Sequence, residues 1–117
     1  RMKALVYTGP NALVYRDEPD PLSDADEVLV RVEAVGICGS DMHAYHGLDS
    51  RRPAPLILGH EAAGRIVSGS RAGERVTINP LVVDPSCPYA IAGRWHLSPT
   101  RQIISMPPRP GAFAELV

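Results

Sequence analysis

Twelve prolines and ten glycines in 117 residues cut this chain into short segments. Few of them are long enough for a helix of average length, so the punctuation argues for a mainly β fold. Lys3 to Tyr7 and Leu13 to Arg16 read as strands around the turn-forming residues Gly9, Pro10 and Asn11, which predicts a hairpin. Residues 27 to 37, EVLVRVEAVGI, set Val28, Val30, Val32 and Ala34 against Glu27, Leu29, Arg31 and Glu33. That period of two predicts a long strand, Glu27 to Ile37, with one buried face. Gly64 to Ser68 and Glu74 to Asn79 carry the same β-branched signature around a turn at Gly69 to Gly73, and Ala112 to Val117 reads as a final strand. A small barrel accommodates these pieces.

One helix is expected, Asp41 to His46, with Ser40 as N-cap, Asp41 in its first turn and Gly47 closing it. Seven prolines fall between Pro80 and Pro110 without sustained periodicity, so 80–110 reads as an irregular lobe on a single domain spanning 1–117. With 44% hydrophobic and 21% charged residues, the composition suits one compact core. The net charge of -1 and the mixed placement of the charges offer no basic face for nucleic acid; the pair Arg51 and Arg52 is too short to make one. No apolar run is long enough to cross a bilayer and no leader pattern is recognisable, so the expected compartment is the cytoplasm, without a membrane partner. Cys38 and Cys87 are the only cysteines and make no disulfide framework, which suits a reduced setting and a metal or a reactive thiol.

Cys38, His60 and Glu61 offer a thiolate, an imidazole and a carboxylate, the donor types that zinc accepts in sites with an open position. Cys38 stands where the long strand gives way to the helix, and Gly59 lets the chain turn before His60. Spacing alone leaves the alternative of a buried structural cysteine and a hydrogen-bonded core histidine, because no CxxC pair is present.

The stretches GICGSDMHAYHG at 36–47 and GHEAAGRIV at 59–67 resemble the signature segments of zinc-dependent medium-chain alcohol and polyol dehydrogenases. The similarity runs on through GERVTINP at 73–80 and GAFAELV at 111–117, which makes the chain similar to that family's N-terminal, GroES-like catalytic domain. The resemblance implies a small β-barrel with short helices. It implies one catalytic-type zinc on Cys38, His60 and Glu61, and an Asp41 that accepts a hydrogen bond from the zinc-bound histidine. It also implies that Ser40 and His43 relay the proton of a small alcohol or polyol substrate. For Asp41, Ser40 and His43 the local alternatives are helix-terminus and surface roles. His46 and His96 have no counterpart and read as surface residues.

In such enzymes hydride passes to NAD or NADP held by a Rossmann domain, and no GxGxxG occurs in these 117 residues. The expectation is therefore an isolated domain without dehydrogenase activity of its own. A zinc hydrolase or esterase, natural or engineered, and a metal-free GroES-like scaffold are the alternatives.

The positions of the four thiols that hold a second, structural zinc in many members read Asp84, Cys87, Ala90 and Ser98 here, so only one thiol remains and no zinc is expected there. Tyr89, Ile91, Trp95 and Leu97 are expected to bury apolar area in its place. The missing nucleotide-binding unit suggests an excised, engineered fragment, with natural loss of the lobe's thiols as the alternative. Removal of a partner domain is expected to bare an apolar face and favour self-association, with Ala112 to Val117 as a candidate exposed edge.

Overall fold

A computed structural model describes residues 1–117. Strands β1 (Met2–Gly9) and β2 (Ala12–Glu18) form the predicted hairpin, longer at both ends than the sequence suggests. Asn11 makes its turn in the left-handed region, at φ 60°. Next come β3 (Val30–Gly36), helix α1 (Gly39–Tyr45), β4 (Leu56–Ile57), β5 (Glu61–Ile66) and β6 (Arg75–Thr77). The lobe holds β7 (Leu81–Val82), the one-turn helix α2 (Pro88–Ile91), a 3₁₀ turn at Trp95–Leu97 and β8 (Gln102–Ile103). No helix is long and apolar enough to cross a membrane.

Two three-stranded sheets, β2-β1-β4 and β3-β5-β6, carry the structure, and β7 pairs with β8. Residues 112–117 join the two larger sheets into a small barrel. On one side the amides of Leu5 and Glu115 donate to the carbonyls of Phe113 and Lys3, at 2.8 and 3.1 Å. On the other, Val32 donates to Glu115 at 2.9 Å, while Val30 and Val117 exchange bonds of 2.8 and 3.0 Å. The expected exposed edge at Ala112 to Val117 is thus corrected, since both of its flanks are hydrogen-bonded. Exposed apolar side chains gather in a groove of about 700 Å³ that Leu13, Tyr15, Ile37 and Met42 line together with Ala112, Phe113 and Ala114 of this same segment.

The long strand also needs correction. It begins at Val30, and Val28 is 47% exposed. A bulge between Val32 and Ala34 leaves Glu33 outside the register with β5. One extra residue moves the following side chains to the opposite face. Val30 is therefore buried and Val32 half-buried before the bulge, Ala34 is exposed after it, and Val35 and Ile37 turn onto the groove that Val32 also lines. Gly64 lies opposite the bulge, where an added Cβ would stand 1.9 Å from the carbonyl oxygen of Arg31.

The core falls into two clusters, Met2, Ala4, Val6 and Ile57, and Tyr7, Ala44, Leu56 and Leu58. Burying Leu58, 1% exposed, contributes about 2–3 kcal/mol. Helix α1 docks through the fully buried Ala44, and the β1–β2 turn grips its far end. The amide of Asn11 donates to the carbonyl of Tyr45 at 2.8 Å, and the Tyr45 hydroxyl donates to the carbonyl of Asn11 at 3.1 Å. His46 is exposed, as expected, and its Nδ1 lies 2.9 Å from Oδ1 of Asn11. Gly47, at φ +78°, follows the helix end.

Candidate metal centre

The pairing of β3 with β5 builds the site. Their register sets Gly36 opposite Glu61, so the chain leaving β3 two residues later carries Cys38 alongside the residues just before β5. One ligand atom from each of Cys38, His60 and Glu61 lies within 4.8 Å of the others. Cys38 and His60 are half-buried and Glu61 is exposed, which leaves the cluster open on one side. Gly36 makes room for the acid, because a Cβ there would come within 2.6 Å of Oε2 of Glu61.

Cys38, in an extended conformation, is the N-cap of α1, and Ser40 is the second residue of the helix. The expected Ser40 cap is corrected by Asp41. Its Oδ2 accepts the Cys38 amide at 3.0 Å, which starts the helix two residues earlier than the sequence suggested. The other oxygen, Oδ1, accepts the amide of Gly59 at 3.1 Å. One carboxylate, 2% exposed, thereby ties the Cys38 arm of the site to the His60 arm.

Oδ1 of Asp41 also lies 3.6 Å from Nδ1 of His60, beyond hydrogen-bond length. The bond expected from the histidine is thus replaced by two from backbone amides. His60 Nδ1 is buried without a partner. A thiol, an imidazole and a carboxylate converge here, and the Asp41 carboxylate stands beside Nδ1 of the imidazole. That donor set fits a zinc ion.

Ser40, half-buried, and His43, exposed, lie one turn apart on α1 and outside the cluster of donor atoms. His96 is exposed on the 3₁₀ turn. In the lobe, the apolar cluster expected from Tyr89, Ile91, Trp95 and Leu97 does not form: Trp95 is 43% and Ile91 76% exposed. Short elements carry these residues outward, and polar contacts close the lobe. Sγ of Cys87 lies 3.6 Å from Oγ of the fully buried Ser98, which lies 3.4 Å from the hydroxyl of Thr100. Hydrogen bonding by Ser98 draws the Cys87 thiol below its ordinary pKa. The carboxylate of Asp84 accepts bonds from the amide and hydroxyl of Ser86. Three of the four positions named from the family's thiols, Cys87, Ala90 and Ser98, are half-buried or buried, but they carry no metal-ligating set.

Sequence reasoning passed over the residues that anchor the lobe. Arg52, 6% exposed, donates to Asp49 at 2.6 Å and to the carbonyl of Ser105 at 3.3 Å. Arg109 donates to Glu27 at 3.0 Å and to Gln102 at 2.8 Å. Nothing in the local pattern marks these arginines, because their partners in the lobe and in the loop before β3 are set by the fold.

The alcohol dehydrogenase GroES-like domain model matches residues 24–117. The chain belongs to that family. This GroES-like domain is 39% identical over 125 aligned residues to a sorbitol dehydrogenase of Bacillus subtilis, covering 99% of this chain and 35% of that protein. It is 35% identical over 113 residues to a zinc-type alcohol dehydrogenase-like protein of Haemophilus influenzae, covering 91% and 33%. Among solved structures, it superposes with a TM-score of 0.85 on an alcohol dehydrogenase of Escherichia coli CFT073 in complex with NADH. The identity there is 32%, over 99% of this chain and 35% of that one. The GroES-like domain thus spans about a third of the length of the relatives it matches.

Proposed function

We propose that this GroES-like domain supplies the zinc-binding, alcohol-activating part of an NAD(P)-dependent dehydrogenase acting on a small alcohol or polyol. The observation that carries the reading is the convergence of Cys38, His60 and Glu61 within 4.8 Å, open on one side, in a chain of this family. Zinc would supply Lewis acidity that favours the alkoxide form of a bound alcohol. Cys38, His60 and Glu61 would hold it, with the exposed Glu61 nearest to solvent.

The remaining work falls to the chain's own residues. Asp41 fixes the two arms by accepting the amides of Cys38 and Gly59, so the donors are held before any ligand arrives. Ser40, half-buried, and His43, exposed, stand three residues apart on one face of α1. In this reading the hydroxyl takes the alcohol proton and the imidazole passes it to solvent. The nicotinamide is held by a separate nucleotide-binding unit, and the 117 residues on their own do not turn over alcohol.

Cobalt loading gives a test that needs no turnover. The cobalt-bound chain is titrated with a simple alcohol and with a hexitol while its visible ligand-field bands are followed. A saturable change with either supports an alcohol-accepting metal; unchanged bands throughout, with the metal bound, would refute it. Zinc-dependent ester cleavage that disappears in Cys38→Ala would favour the hydrolase reading instead.

A further inference from the structure

The turn that presents His60 is braced from the far end of the chain. Residues 111–113 run along residues 57–59: Gly111 donates to the carbonyl of Ile57 at 2.8 Å, Ala112 to Gly59 at 2.8 Å and Phe113 to Leu58 at 2.9 Å. The two backbones touch, since a Cβ on Gly111 would stand 2.4 Å from the oxygen of Leu58. The Phe113 ring completes the contact. Gly59 sits at φ +97°, and a Cβ on it would lie 2.6 Å from Cδ1 and 2.8 Å from Cε1 of that ring.

Phe113 also packs against both core clusters, so its ring is pinned from behind while it presses on Gly59. Gly59 is therefore held at three points, its amide on Asp41, its carbonyl on Ala112 and its Cα against the ring. Glycine moves freely between left- and right-handed conformations unless its surroundings forbid it. A change of Gly59 from its left-handed turn would swing His60, the next residue, away from Cys38 and Glu61.

We propose that Phe113 is a positioning residue for the metal centre, its ring fixing the left-handed turn at Gly59 that delivers His60 to Cys38 and Glu61. The inference rests on the metal-binding reading above for its consequence, and on packing alone for its mechanism.

Three variants test it: Phe113→Leu, which keeps apolar bulk but loses the flat ring; Phe113→Tyr, which keeps the ring; and Ile66→Val, a core truncation at the far end of β5. Amide hydrogen exchange at Gly59 is measured on the metal-free chains, and zinc affinity by competition with a chelator. Phe113→Leu should speed Gly59 exchange and weaken zinc binding about tenfold, in the range seen when groups supporting a ligand are removed. Phe113→Tyr should match the parent on both counts, and Ile66→Val should leave both near parental values. Gly59 exchange no faster in Phe113→Leu than in Ile66→Val would overturn the proposal. A parent chain that binds no zinc would refute the metal reading instead, with the exchange comparison still deciding the role of Phe113.

Discussion

Oδ1 of Asp41 lies 3.6 Å from Nδ1 of His60 while both of its oxygens accept backbone amides, from Cys38 and from Gly59. The carboxylate thus does two things at once: it sets the spacing of the two arms and places negative charge against an imidazole nitrogen that has no other partner. Asn at this position has one acceptor oxygen where Asp has two, so one buried amide is left unpaired. Asp41→Asn is expected to cost about 1–3 kcal/mol of stability, read from urea midpoints. It should also weaken zinc binding about tenfold, read by chelator competition. Parental affinity in a folded Asp41→Asn would show that the charge beside His60 is idle.

Gly36 and Gly64 face each other's strands in the same sheet, yet an added methyl group meets different obstacles at the two positions. At Gly36 it meets the end of the Glu61 side chain, which can move aside. Gly36→Ala should therefore cost under about 1 kcal/mol in folding while displacing the Glu61 carboxylate and weakening metal binding. At Gly64 it meets the Arg31 carbonyl at 1.9 Å, where only the backbone can yield. Gly64→Ala is expected to cost about 3 kcal/mol, at the upper end of overpacking penalties. Thermal unfolding of the two variants checks the order, and equal losses would contradict it.

Acid sensitivity should be set by Asp49, a half-buried residue on the loop between α1 and β4 whose side chain is 5% exposed. Hydrogen bonds from Arg51, and then from Arg52, hold it well below the ordinary aspartate value of 3.8. Its pKa is depressed on folding, so the stabilisation is fully present above about pH 4 and is lost as the pH falls through the folded-state value. Asp49→Asn should flatten this acid limb in urea midpoints measured between about pH 5 and pH 2. At neutral pH it should cost about 3 kcal/mol, because Arg52 keeps its charge in a buried place and loses the carboxylate that neutralises it. An unchanged acid limb would remove Asp49 from the account.

Much of this was legible in the residues, and the reasons for the misses are physical. The β1–β2 hairpin follows from the turn residues Gly9, Pro10 and Asn11, and the barrel's strands from β-branched alternation. The candidate donors Cys38, His60 and Glu61 were named by the motifs around Cys38 and His60, and the register that brings them together follows from β3 pairing with β5. The bulge at Glu33 was not legible, since a single extra residue leaves the alternating pattern unbroken on paper. Strand β4 is two residues long and borrows its pairing from β1, so Leu56 and Ile57 carry no periodicity. The cap at Cys38 was missed because Ser40 is the better N-cap by type, whereas the Asp41 side chain chose the start. In the lobe, apolar residues close in sequence were taken to be close in space, but α2 and the 3₁₀ turn carry Tyr89, Ile91, Trp95 and Leu97 outward.

Cys38, His60 and Glu61 are expected to hold one metal ion, which is read as metal content after dialysis against a weak chelator. The parent chain should retain one zinc per chain, as should Cys87→Ser, whose thiol lies in the lobe. Cys38→Ser and His60→Ala should lose it while keeping a β-rich circular dichroism spectrum. A parent chain without zinc, or a folded Cys38→Ser that still holds one equivalent, would contradict the account.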